Sequence, residues 1–151
     1  MPEPLFPDRT PRLDLPLLFA GQSQREAFVN ETFARLDALV HCAIEAPAGA
    51  PPATPQDGQC WLVAPGASGA WTGLEGTIAS YQQGQWLFHH PRDGLYVLDK
   101  STGQRLHYHG SWRAAVKPAL PLGGAVVDVQ ARTAIGAMVD ALVAAGVLPT
   151  Q

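Results

Sequence analysis

A chain of 151 residues with 46% apolar content can bury a real core, which excludes an intrinsically disordered protein. A formal net charge of −3, with 15% charged residues and the basic ones scattered, excludes the electrostatic footprint of a nucleic-acid binder. No apolar run approaches the roughly 18 residues of a spanning helix, and the opening MPEPLFPDRTPR lacks the basic and apolar blocks of a secretory leader, so membrane insertion is not expected.

Residues 1–22 read as an extended arm. Pro2, Pro4, Pro7, Pro11 and Pro16 forbid regular helix and favour extended backbone. Leu13, Leu15 and Leu17 alternate, and with Leu18 they form a stripe that the arm cannot bury within itself. The expectation is an arm mobile in the free protein that anchors by these four leucines on a partner surface.

Residues 23–46 read as an amphipathic helix. Ser23 and Glu26 have the spacing of a capping box, and Gly21 permits a sharp entry. Val29, Phe33, Leu36, Val40 and Ala43 follow at spacings of four, three, four and three, a heptad seam widened by Phe28, Leu39 and Ile44. Such a stripe suits a domain core or a helix meeting copies of itself. Pro47 ends the helix, and residues 47–58, PAGAPPATPQDG, form a stiff linker.

Residues 59–116 read as a small antiparallel meander, short apolar runs cut by turn signals. CWLVA is followed by the glycine-rich loop PGASGAWTGLEG. TIASYQ pairs with QWLFHH across Gln83-Gly84; the Pro91–Gly94 turn leads into LYVLDK, the Ser101–Gln104 turn into RLHYH, and Gly110 precedes SWRAAV. Strand alternation puts Trp86, Phe88 and His90 on one face and Leu87 and His89 on the other. Residues 117–127 form a second linker. A C-terminal helix spans 128–146, with Asp128 as N-cap and Gly146 just past its end. Ala131, Ile135, Met138, Leu142 and Ala145 repeat the heptad spacing. The fold class is therefore α+β: arm and amphipathic helix, small antiparallel β-meander, C-terminal helix. Its candidate oligomer interface is Val29, Phe33, Leu36 and Val40 with Ile135, Met138 and Leu142.

Few residues carry the marks of chemistry. His107 and His109 form H-x-H, which puts both rings on one strand face and suits a divalent transition metal. They are the pair that could take one, although histidine is common on solvated strands and neither a metal nor any cofactor is expected. Glu75 and Asp93 are the carboxylates a glycosidase reading would use, but turn chemistry accounts for Asp93. There is no G-x-S-x-G elbow, His41 and Cys42 are adjacent and so point apart on a helix, and PGASGAWTG lacks the lysine of a phosphate loop. Cys42 and Cys60 lack metal or redox spacing and read as two buried free thiols rather than a disulfide. Among the aromatics, Trp61 and Trp86 read as core. Trp71, in the glycine-rich loop, and Trp112 are the candidates for exposed glycan contact, because indole faces stack on sugar rings.

The order of motifs also carries a likeness. Leu13, Leu15, Pro16, Leu17, Leu18, Gly21-Gln22, Gln24-Arg25-Glu26, Asn30-Glu31 and Leu36-Asp37-Ala38-Leu39-Val40 open it. Pro51-Pro52, Pro55, Asp57-Gly58, Trp61-Leu62-Val63, Gly66 to Gly73, Ile78-Ala79, Gly84 to Phe88, Pro91 and Gly94 continue it. This pattern resembles an uncharacterised domain family of tail-fibre and head-spike proteins from bacterial phages and gene transfer agents. The resemblance implies a trimeric virion structural protein assembled in the bacterial cytoplasm, with no catalytic site. The expected function is thus the base or connector of a head spike or tail fibre. Its expected partners are its own copies, a capsid or tail protein and a distal fibre protein. A carbohydrate-binding module for host capsule or wall is the alternative, and a small glycan-degrading enzyme a third reading.

Overall fold

The computed structural model describes residues 9–18, 26–123 and 128–150, and among them it has two helices and eight strands in two small, mostly antiparallel sheets. The class is α+β. The chain divides into two compact units, one reaching Pro91 and the other starting at Arg92.

In the first unit, α1 spans Glu26–Leu39. The side chains of the Ser23–Glu26 capping box lie outside the described residues. The helix ends well short of Pro47. Its last turn closes with the Val40 amide on the Leu36 carbonyl, and His41 then turns left-handed at φ 50°. A left-handed residue stops the i to i−4 ladder, so Cys42 lies beyond the helix rather than late in it. The strand β1, Ala43–Ile44, follows, and the Ile44 side chain is fully buried.

The predicted linker also departs from expectation at its start, where Pro47–Ala48 forms β2. This strand runs parallel to β3, Cys60–Val63, with Pro47 opposite Leu62 and Ala48 opposite Val63. Proline has no amide to donate and fits an edge strand. Beyond β3, β4 (Ile78–Gln82) and β5 (Gln85–His89) complete an antiparallel run with sheet order β2-β3-β4-β5. Gln83 at φ 51° and Gly84 at φ 78° connect β4 to β5, the two positive values a type I′ hairpin requires. Asp57 supports the hairpin by accepting from the Gln83 amide.

The second unit holds β6 (Tyr96–Asp99), β7 (Gln104–Tyr108) and β8 (Trp112–Arg113), paired antiparallel in chain order. The predicted meander is therefore divided between two sheets. The reason lies at Pro91–Gly94, where a donor-less proline and a turn closed by Leu95 N–H on Arg92 O interrupt strand pairing. Val97, Asp99, Gln104 and Leu106 alternate to the buried face of β6 and β7.

The helix α2 spans Val129–Ala144. Asp128 accepts from the Ala131 amide at 2.8 Å, as its N-cap role predicts. At the other end the Gly146 amide bonds Val143 O and the Val147 amide bonds Leu142 O, with Gly146 at φ 69°. That is a Schellman motif, which needs a left-handed residue at this position. The tail then joins the sheet's turn through Arg105 N–H on Gly146 O and Thr150 N–H on Thr102 O.

Candidate interaction surfaces

Residues 10–18 are folded onto α1. Thr10 Oγ1 and the Leu13 amide donate to Asp37 Oδ1 at 2.7 and 2.6 Å, and the Arg12 amide donates to Asp37 Oδ2 at 3.1 Å. The Arg12 guanidinium donates to the main-chain oxygens of Asp37, Ala38 and His41. These are carbonyls the last helical turn leaves without intrahelical partners, and a cation there also opposes the negative end of the helix dipole. Further along, the Asn30 amide group brackets Leu18, accepting from its N–H and donating to its C=O, both at 2.9 Å. The expectation of a free arm is corrected over this segment. Leu17 is buried within the chain and Leu13 and Leu15 are half-buried, so Leu18 is the predicted anchor that stays exposed.

The two helix seams have a different placement. In α1 the buried positions are Ala34, Asp37 and Ala38, while Val29 and Phe33 are half-buried and Leu36 is exposed, as is Val40 just past the helix end. In α2 the inward line is Arg132, Gly136, Val139 and Val143. Ile135, Met138 and Leu142 sit one residue around the helix and are exposed, Met138 at 59%. The apolar heptad stripes predicted from spacing are thus left largely uncovered by the chain itself.

The glycine-rich loop does not expose its tryptophan. Trp71, in a short 3-10 turn Gly69–Trp71, is 0% exposed. It packs edge-on to Trp86 with centroids 5.1 Å apart, and Trp61 completes a cluster with Val63 and Ala79. This removes Trp71 as a glycan contact. The loop's apolar payload is needed to cover one face of a four-stranded sheet that has few aliphatic residues there. Trp112 remains half-exposed, its ring edge-on to Tyr108.

The histidines separate by environment. His107 stacks on Tyr96, and His109 lies 3.2 Å from the Asp93 carboxylate, which also accepts from the Gly110 amide. No metal-holding group of three or more His, Cys, Asp or Glu occurs among the described residues. Glu75 accepts from the Ala67 amide and so supports its loop. The histidine that sequence reasoning passed over is His89. It is buried, shares a 2.8 Å hydrogen bond with Ser80 Oγ, and titrates near 4, lowered from 6.5 by burial and by the nearby Arg35 cation. Cys42 and Cys60 are buried thiols not joined in a disulfide. Hydrogen bonding with Cys60 holds the Cys42 thiol below its ordinary range; burial opposes this and the Arg12 charge adds to it.

Residues 29–113 match the sequence profile of a family described as a protein of unknown function, DUF2793. The chain belongs to this family. No curated protein matches it. The DUF2793 region begins inside α1 and ends with β8, so it takes in both sheets, the tryptophan cluster and Asp37. The arm residues that bond Asp37 lie outside it, as does α2. Within the DUF2793 region, Asp37 and His89 are the buried polar groups least visible in the sequence. The available signal for Asp37 was its position between Ala34 and Ala38 on the small-residue side of the helix.

Proposed function

We propose that this DUF2793 protein is a structural component of a phage or gene-transfer-agent particle, the base or connector of a head spike or tail fibre. It would act as a homo-oligomer, most simply a trimer, assembled in the bacterial cytoplasm. The observation that carries the oligomeric part is the pair of exposed heptad stripes, Leu36 on α1 with Val40 just past its end, and Ile135, Met138 and Leu142 on α2. Burying a side chain of this size on self-association contributes about 1.5–3 kcal/mol when the burial is complete. Three copies bring three such stripes to one axis.

The particle assignment is supported by the ordered motifs from Leu13 to Gly94. The role is mechanical. One end of the oligomer would meet a capsid or tail protein and the other a distal fibre protein. Because residues 10–18 are held on α1, attachment would pass through the exposed Leu18 side of a preformed arm rather than through a free strand. The deciding experiment is quantitative mass spectrometry of gradient-purified particles from the bacterium that encodes the chain. Co-purification at a fixed copy number divisible by three is expected, and absence from particles would overturn the reading.

A further inference from the structure

The open face of the second sheet has a composition of its own. Tyr96, His107 and Arg113 align as one row across β6, β7 and β8, and Leu98 with Arg105 forms the next row. Tyr96, Leu98, Arg105 and Arg113 are exposed, Tyr96 at 62%, and His107 is half-exposed. The Tyr96 and His107 rings stack with centroids 5.7 Å apart and planes 29° from parallel. No carboxylate belongs to these two rows. Asp99, the last residue of β6, lies on the opposite, buried face and accepts from Ser101, and Asp93, just before β6, is engaged by His109 and Gly110. Neither the Arg105 nor the Arg113 guanidinium has a hydrogen bond or ion pair among the described residues.

We propose that this face binds an acidic polysaccharide, through a segment bearing uronate carboxylates. The stacked Tyr96–His107 pair offers a flat surface for the C–H face of a pyranose ring. The two guanidinium groups flank it with forks matched to carboxylates. A polyphosphate fits less well. Nucleic-acid affinity rests on many phosphate contacts, and here two arginines flank a single ring-stacking pair. The inference stands apart from the particle assignment, because it uses only the second sheet.

Affinity electrophoresis of the full chain in gels containing sodium polygalacturonate tests it, with dextran as the neutral polymer and a 20-mer of thymidylate as the polyphosphate. Polygalacturonate should retard the chain and dextran should not. The double variant Arg105→Gln, Arg113→Gln should bind at least about tenfold more weakly, the scale of losing charge-assisted hydrogen bonds, with unchanged melting. Should the double variant fail to fold, the two single variants are each expected to weaken binding several-fold, as is Tyr96→Ser. No retardation by polygalacturonate, equal retardation by dextran, tighter binding of the oligonucleotide, or binding indifferent to these arginines would each overturn the proposal.

Discussion

Thr10 Oγ1 donates a 2.7 Å hydrogen bond to Asp37 Oδ1, and both residues are buried, Asp37 at 1% exposure. A carboxylate in that position is tolerated because two arm amides and one hydroxyl solvate it in place of water. Asp37→Asn keeps the shape but supplies an N–H where acceptors are needed. It should destabilise the chain by about 1–3 kcal/mol, with faster hydrogen exchange at Arg12 and Leu13. Unchanged protection of those two amides would show that Asp37 does not hold the arm.

Removal of residues 1–18 follows from the same bonds. The truncated chain loses the Arg12 cap on the last turn of α1 as well as the Asp37 contacts. It should melt earlier by several degrees, with about 1–2 kcal/mol from lost capping alone. A melting point equal to that of the full chain would make the arm an appendage after all.

His89 makes stability depend on pH. Its folded value near 4 lies below the ordinary 6.5. Between these values the unfolded chain binds the proton and the folded chain does not, so stability is full above about 6.5 and is lost as pH falls toward 4. The two values correspond to a loss on the order of 3 kcal/mol. Urea unfolding of the native chain from pH 7 to pH 4.5 should show this slope, and His89→Gln should flatten it. A variant with the native slope would place the effect elsewhere.

Trp71 is a core residue with a buried indole N–H that has no acceptor among the described residues. Trp71→Ala should cost about 3–5 kcal/mol through cavity formation. Trp71→Phe should cost less than about 2 kcal/mol, since it also removes an unsatisfied donor. Chemical denaturation of the two variants separates them, and equal losses would mean that the indole nitrogen is bonded in solution.

The proposed oligomer is best probed at Leu36 and Met138, because their exposure means that substitution barely perturbs the single chain. Leu36→Asp and Met138→Asp should change the unfolding free energy of the monomer by less than about 1 kcal/mol while shifting the mass by light scattering. The native chain should scatter near three times the 16.1 kDa of one copy, and the variants near one. A native mass of one copy at tens of micromolar, about where weak coiled coils dissociate, would leave the stripes without their partner.

Several features were legible in the residues alone. The Gln83-Gly84 hairpin, the Asp128 cap and the Gly146 helix end were readable because each is decided by a few neighbouring residues whose backbone preferences admit few alternatives. The heptad stripes were equally visible, since spacing is a property of sequence. Which side of each helix faces inward was not. In α2 the inward line is Val139 and its neighbours, one step around from the stronger apolar stripe. That choice depends on what the rest of the chain presents. The end of α1 at Leu39, against an apolar pattern that runs on to Ala43, was set by Arg12 reaching across from the arm and by Ile44 entering the core. Trp71 was misread for the same reason: a glycine-rich loop looks solvated until a sheet lacking aliphatic cover recruits its indole. Local backbone chemistry is written in adjacent residues, whereas burial is a competition among distant ones that only the assembled fold decides.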